Sequence, residues 1–186
     1  MTYTTQGIIL RKSHQGDFDR QYVIYTRDYG KITAIAKSVK KPTSKLNSHL
    51  EFFNLCDLML ARGNSCDRLA AACRNKNYCR GNINPIKIFS ACLYLEALDI
   101  LVKYNYPDEF IFHLSDRFLT EIFSLRESRH SLMVLNRFLF ELLSHLGYRP
   151  KVLAKTQKSL LADLNNLVME VAEKPLRSFT LLARLV

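Results

Sequence analysis

Residues Tyr29–Lys45 read YGKITAIAKSVKKPTSK. Lys31 to Ala36 alternates, with Ile32, Ala34 and Ala36 on one face and Thr33 and Ile35 on the other, the two-residue period of a half-buried strand. The strand opens into a loop that carries Lys40, Lys41 and Lys45, with Pro42 and two small hydroxyl residues between the last two lysines. Just ahead, Arg27-Asp28-Tyr29-Gly30 is a turn signal, with Gly30 able to take a positive φ. A strand paired with a lysine-bearing arm suits a small β-barrel gripping a phosphate backbone.

On either side of this stretch the sequence continues in strands. Thr5 to Lys12 contains Ile8, Ile9 and Leu10, and Gln21 to Tyr25 is rich in Tyr, Val and Ile. Leu50 to Leu60 supplies Phe52, Phe53, Leu55, Leu58 and Leu60, and Arg68 to Arg74 supplies a fifth strand, although its alanine run also permits helix. Five short strands and a basic loop predict an OB-type barrel over residues 1–80. The pattern breaks at Arg80-Gly81-Asn82-Ile83-Asn84-Pro85, where Asn84 fits an N-cap and Pro85 the first helical position.

From there the apolar period becomes about 3.6. Helices are expected from Pro85 to about Val102, from Pro107-Asp108-Glu109 through Ile122, from Ser131 to Leu146 with Gly147 as its stop, and after Thr156 through Val171. A last short helix is expected over Leu176 to Leu185. The fold class is therefore α+β, with a five-stranded barrel followed by an all-α helical domain over 81–186.

Charge separates the two halves. Up to residue 80, fourteen Lys and Arg face six Asp and Glu, whereas from 81 onward thirteen face eleven, so most of the net charge of +10 lies in the first part. A positive face recruits polyanions by releasing condensed counterions. No apolar run approaches the roughly 18 residues that span a bilayer. The opening MTYTTQGIIL does not read as a signal peptide, and a cytoplasmic location is expected, without membrane association.

The residues that could carry chemistry do not assemble into a catalytic pattern. Neither GxxxxGK[ST] nor GxGxxG occurs, and His14, His49, His113, His130 and His145 are scattered. Asp17 and Asp19 lie in a basic setting, where a solvated turn or an ion pair with Arg20 is expected rather than a metal site. The five cysteines are odd in number and lack CxxC spacing, which argues against both a disulfide framework and zinc. Cys56, Cys73 and Cys92 are expected to be small buried side chains. No catalytic residue, metal or cofactor is expected.

What emerges is a binding surface. Arg11, Lys12, Arg20, Lys31, Lys37, Lys40, Lys41 and Lys45 crowd the first two hairpins and are the candidate phosphate contacts. Tyr22, Tyr25 and Tyr29 are candidate stacking platforms for bases, with packing inside the barrel as the competing role. By charge alone, a DNA binder, an OB-fold RNA binder and a scaffold working through its helices all remain open.

The residues resemble the RecO family of bacterial recombination mediators. The resemblance runs through Gly7-Ile8-Ile9-Leu10, Gly16-Asp17-Phe18-Asp19-Arg20, Tyr29-Gly30-Lys31-Ile32 and Ala34-Ile35-Ala36-Lys37, followed by Lys40, Lys41, Pro42, Ser44 and Lys45. It resumes at Arg137-Phe138, Leu142-Leu143, Leu146-Gly147-Tyr148-Arg149-Pro150 and Lys174-Pro175-Leu176-Arg177-Ser178. Two departures stand out. Many members carry four zinc-binding cysteines shortly after the LGY-x-P element, but residues 151–158 read KVLAKTQK and no cysteine follows Cys92. A glutamate common after the Phe138 position is Leu139 here.

The resemblance implies an OB domain that binds single- and double-stranded DNA, anneals complementary strands and assists RecA loading onto strands coated with single-strand binding protein. It implies RecR and, in many bacteria, RecF as partners, and a nucleoid-associated place in the cytoplasm. It also implies that the acidic-apolar tail of single-strand binding protein docks on the helical domain, with Arg137 as the candidate cation.

Overall fold

The computed structural model describes residues 1–41, 44, 46–64, 66–80, 84–150 and 156–185. The chain forms two compact units, one made of Met1–Cys79 with Val102–Phe112, the other of Arg80–Leu101 with His113–Val186.

The first unit is built from β1 (Thr2–Gln15), β2 (Asp19–Thr26), β3 (Gly30–Ala36), a helical turn α1 (Leu46–His49), β4 (Asn54–Ala61) and β5 (Asp67–Asn77). The strands close into a barrel in the order β1-β2-β3-β5-β4. β1 is antiparallel to both β2 and β4, and its register against β2 shifts between Ile9 and Arg11. That bulge bends the strand, and Ile8, Ile9 and Leu10 are all buried, with Ile9 in the barrel core. β3 closes on β5 in parallel, with Ala34 opposite Asp67 and Ile35 opposite Arg68 among the described residues.

Ile32, Ala34 and Ala36 face the core as their alternation requires, beside Ile24, Leu58 and Leu60. The alanine run of β5 is strand, with Ala71 and Ala72 paired to Met59 and Leu58. The fourth strand begins later than its apolar run predicts. Phe53 has φ 62°, a left-handed conformation that no strand continues through, so pairing starts at Asn54. Leu50 reaches the core from the end of α1, and Phe52 is partly exposed.

The returning segment Val102–Phe112 is an element that periodicity does not announce. Tyr104 bridges to Lys31, the Asn105 amide donates to the Lys31 carbonyl at 2.9 Å, and the Tyr25 hydroxyl donates to the Asp108 carbonyl at 3.3 Å. It covers the β2–β3 corner, where Gly30 has φ 66°.

The second unit contains α2 (Pro85–Leu101), most of α3 (Glu109–Ser124), a 3-10 turn (Ser128–His130), α4 (Ser131–His145), α5 (Gln157–Ala172) and α6 (Arg177–Ala183). The caps follow the sequence. Asn84 Oδ1 accepts from the Ile86 amide at 2.9 Å, and Thr156 forms a reciprocal capping box with Ser159. After α4, Gly147 takes φ 89°, and the amides of Gly147 and Tyr148 donate to the carbonyls of Ser144 and Leu143, the Schellman pattern. Tyr94 stacks on Phe118 with centroids 4.1 Å apart, and Phe118 meets Phe138 edge-on at 5.4 Å. Glu96 on α2 accepts the amides of Arg177 and Ser178 at 2.9 and 2.8 Å, anchoring the start of α6. Among the described residues no helix is long and apolar enough to cross a membrane.

Replacing Gly30 with Ala combines an unfavourable φ with a Cβ driven into the Tyr106 carbonyl. The substitution is expected to cost about 2 kcal/mol or more of stability, read as a lower denaturant midpoint. An unchanged midpoint would contradict the packing of this corner.

Candidate nucleic-acid interface

The hairpin tip between β1 and β2 and the loop after β3 form one clamped lobe. Gly16 turns the tip with φ 63°. The Lys40 ammonium donates to the carbonyls of Gly16 and Asp17 at 3.0 and 3.2 Å, and the Lys40 amide donates to the Phe18 carbonyl at 3.0 Å. From the opposite side, Asp19 pairs with Lys37 at 2.8 Å and accepts the Ser38 amide at 2.7 Å. These bonds hold Ser38 in a left-handed conformation, φ 54°. The Lys37 ion pair, and next the Ser38 amide, hold the Asp19 carboxyl below the ordinary aspartate range. The partner of Asp19 is therefore Lys37 and not Arg20, because Arg20 turns to Asn47 Oδ1 at 3.0 Å.

Beside this lobe lies a groove of about 320 Å³ lined by Lys12, Ser13, His14, Arg20, Asn47, Glu51 and Phe52. Lys12 pairs with Glu51 at 2.6 Å, and its ammonium sits 4.7 Å from the centre of the Phe52 ring. Burial lowers the Lys12 pKa, and the Glu51 carboxylate partly restores it.

The predicted contact residues thus separate into groups. Arg11, Lys37 and Lys41 are exposed, while Lys12, Arg20 and Lys40 are half-buried and hold structural bonds. Lys45 and Pro42 lie outside the described residues. Lys31 does not belong to the surface. It is buried, with its ammonium 4.3 Å from the Tyr104 ring centre, because the returning segment covers it. Tyr22 is fully buried in the barrel core and offers no face to a base. Tyr25 is buried too, and Tyr29 is half-buried with its ring 4.4 Å from that of Tyr3.

Beside the lobe and its groove the exposed rings are Phe18, 52% accessible, and Phe52, 41% accessible. Each has a lysine over it, with Lys41 5.4 Å from the Phe18 centroid and Lys12 over Phe52. The signal for Phe18 was in the sequence: an aromatic residue in the turn Gly16-Asp17-Phe18-Asp19 has no apolar period to bury it. Of the cysteines, Cys56 is buried and its thiol is pushed up to about 12, chiefly by desolvation. Cys73, expected to be buried, is exposed because it lies on the outward face of β5, and Cys92 is intermediate.

In the second unit, Arg137 lies on the exposed side of α4. It pairs with Glu121 of α3, and its guanidinium sits 4.8 Å from the Phe138 ring centre. Arg117 of α3 mirrors it, pairing with Glu141 at 2.9 Å and standing 5.5 Å from the same ring. Two guanidiniums thus flank one buried phenyl ring, each held by a carboxylate of the other helix.

Residues 1–76 match the family described as Recombination protein O N terminal. The chain is 27% identical over 152 residues to a DNA repair protein RecO of Desulfitobacterium hafniense, covering 81% of this chain and 54% of that protein. To a protein of the same name from Dehalococcoides mccartyi it is 30% identical over 166 residues, covering 88% and 64%. To one from Bifidobacterium longum subsp. infantis it is 34% identical over 101 residues, covering 54% and 42%. The chain spans about half the length of the curated relatives it matches.

The Asp19 clamp has a definite pH signature. Because its folded pKa is depressed, its contribution is complete above the unfolded aspartate value of about 3.9 and is lost as pH falls through the lower folded value. Titration of the Asp19 carboxyl carbon by NMR should show a midpoint below the ordinary one, and Lys37→Gln should raise it. A midpoint at or above the ordinary value would remove the clamp.

Proposed function

We propose, since the chain belongs to the RecO family, that it serves DNA repair by recombination as a non-enzymatic, DNA-binding mediator. In this reading the barrel is of the OB type and is the DNA-binding domain, and the helical part, residues 81–186, receives partners. The observation that carries it is the clamped basic lobe, where Lys37, Lys40 and Lys41 gather on the loop after β3, which is fixed to the β1–β2 hairpin tip.

The chemistry of this lobe fits strand annealing. Two complementary strands must be brought together against their mutual charge, and lysines screen phosphates without reading sequence. The strands must also slide and exchange partners. An exposed aromatic ring such as Phe18 stacks on any base and releases it easily. Lys37 can leave Asp19 for a phosphate at small cost, because an exposed ion pair contributes little in water.

The proposed ligands are single- and double-stranded DNA. The proposed partners are RecR, with RecF in some bacteria, and RecA indirectly through loading onto strands covered by single-strand binding protein. The acidic tail of the latter would dock at Arg137, displacing Glu121 from a guanidinium already placed over an aromatic ring. The setting would be the nucleoid-associated cytoplasm.

Substituting Lys37, Lys40, Lys41 and Lys45 together with Gln tests the lobe. If all four contact phosphates, the salt dependence of single-strand binding should lose about 3 from its log–log slope, at roughly 0.7 per contact. Annealing of complementary strands precoated with single-strand binding protein should slow in parallel. Unchanged annealing and slope would place the DNA elsewhere, and strong preference for a matched RNA strand would point to RNA as the ligand.

Phe18→Ala separates stacking from charge. It is expected to weaken single-strand binding by about 1–3 kcal/mol while leaving the salt slope as it was. A changed slope at full affinity would show that the ring only positions Lys41.

A further inference from the structure

The helical unit holds a basic pocket that the DNA-binding lobe does not use. It measures about 320 Å³ and lies between the N-terminus of α2 and the segment joining α3 to α4, lined by Asn84, Lys87, Arg126, Glu127, Ser128 and Arg129. Lys87 makes the pocket unusual. Its residue is only 5% exposed, and its ammonium donates to the Leu125 carbonyl. An ammonium has three donors, and among the described residues no carboxylate pairs with this one. Its remaining donors and the lack of a paired carboxylate suit it to an anion that reaches the pocket.

The surroundings select the sign and the shape of a ligand. Glu127, the one carboxylate in the lining, is held by Arg129. Arg126 is exposed and has no ion pair among the described residues. Lys87 and Arg126 therefore leave a surplus of positive charge, joined by the positive end of a 17-residue helix whose Asn84 cap is already occupied with the Ile86 amide. The Ser128 hydroxyl adds a neutral donor. Ammonium, guanidinium and hydroxyl around one small concavity match a tetrahedral oxyanion with several acceptor oxygens.

We infer that this pocket binds a phosphate group, through Lys87, Arg126 and Ser128 with Arg129 at its rim. The group could be a backbone phosphate of a bound strand or a free phosphoryl group, and the two sources share this chemistry.

The test uses the full chain. Inorganic phosphate is titrated calorimetrically at constant ionic strength set with chloride, into the parent, Arg126→Gln, Arg129→Gln and Lys87→Met. The parent should bind phosphate, and Arg126→Gln should weaken that binding roughly tenfold or more, the worth of a charge-assisted hydrogen bond. Lys87→Met should abolish it, with circular dichroism checking that this variant folds; the exposed Arg126 decides the matter if it does not. The variant neutralised at Lys37, Lys40, Lys41 and Lys45 should bind phosphate as the parent does, which keeps this site distinct from the barrel lobe.

A second arm measures an oligothymidine. Weaker binding by Arg126→Gln, with phosphate competing, assigns the site to a strand phosphate; unchanged oligothymidine binding together with lost phosphate binding assigns it to a free phosphoryl group. Two results overturn the proposal. One is a parent that binds no phosphate while Arg126→Gln and Arg129→Gln bind oligothymidine normally. The other is phosphate binding that neither Arg126→Gln nor a folded Lys87→Met alters.

Discussion

Strand β1 must bond to two neighbours, and the first unit depends on its doing so. Its first half pairs with β4 from Thr2 to Ile8 and its second half with β2 from Gly7 to Gln15, so Gly7 and Ile8 have partners on both sides. A straight strand cannot turn from one side of a small barrel to the other. The bulge after Ile9 supplies the bend, and Gly7 supplies room, because a Cβ there would stand 2.6 Å from Cγ2 of Ile24. The β2–β3 register, which sets Arg20 opposite Ala36, brings the hairpin tip to the loop after β3. The closeness of Lys40 to the Gly16 carbonyl follows from that register.

The legible parts of the sequence were those whose environment is set nearby. β3 could be read because one face is buried and the other is not, and its small alanines fit a narrow interior. The helix caps at Asn84 and Thr156 and the stop at Gly147 are local chemistry and stand where their residues announce them. Leu50 to Leu60 misled because an apolar run does not distinguish a leucine reaching the core from a helical turn from one on a strand. Lys31 could not be placed from its neighbours, since Tyr104, which covers it, comes from another part of the chain. Tyr22 goes inward and Phe18 outward for a plain reason: the tyrosine lies within a strand of the closed barrel, and the phenylalanine sits in a polar turn.

Counting lysines overstates the charge that is available. Lys12 is engaged by Glu51, Lys37 by Asp19 and Lys40 by two carbonyls. The lobe spends part of its basicity on its own shape, and what it gains is order. Loops pinned before a ligand arrives lose little conformational entropy on binding, whereas a free lysine-rich arm would lose much more. Arg117 and Arg137 follow the same economy in the helical unit, where their carboxylate partners fix them against Phe138.

The return of Val102–Phe112 to the barrel unit sets an order of events during synthesis. All five strands have been synthesised by the time Cys79 is made, but the segment that covers the Gly30 corner and Lys31 is still to come. At about 5–20 residues per second, translation delivers it a few seconds later. In that interval the nascent barrel holds Lys31 without its aromatic cover and has the Tyr25 hydroxyl without its acceptor. The last part of the first unit to be secured is therefore made after α2, and a ribosome that paused with β5 emerged and Val102–Phe112 still inside would leave the barrel complete in its strands but open at one corner.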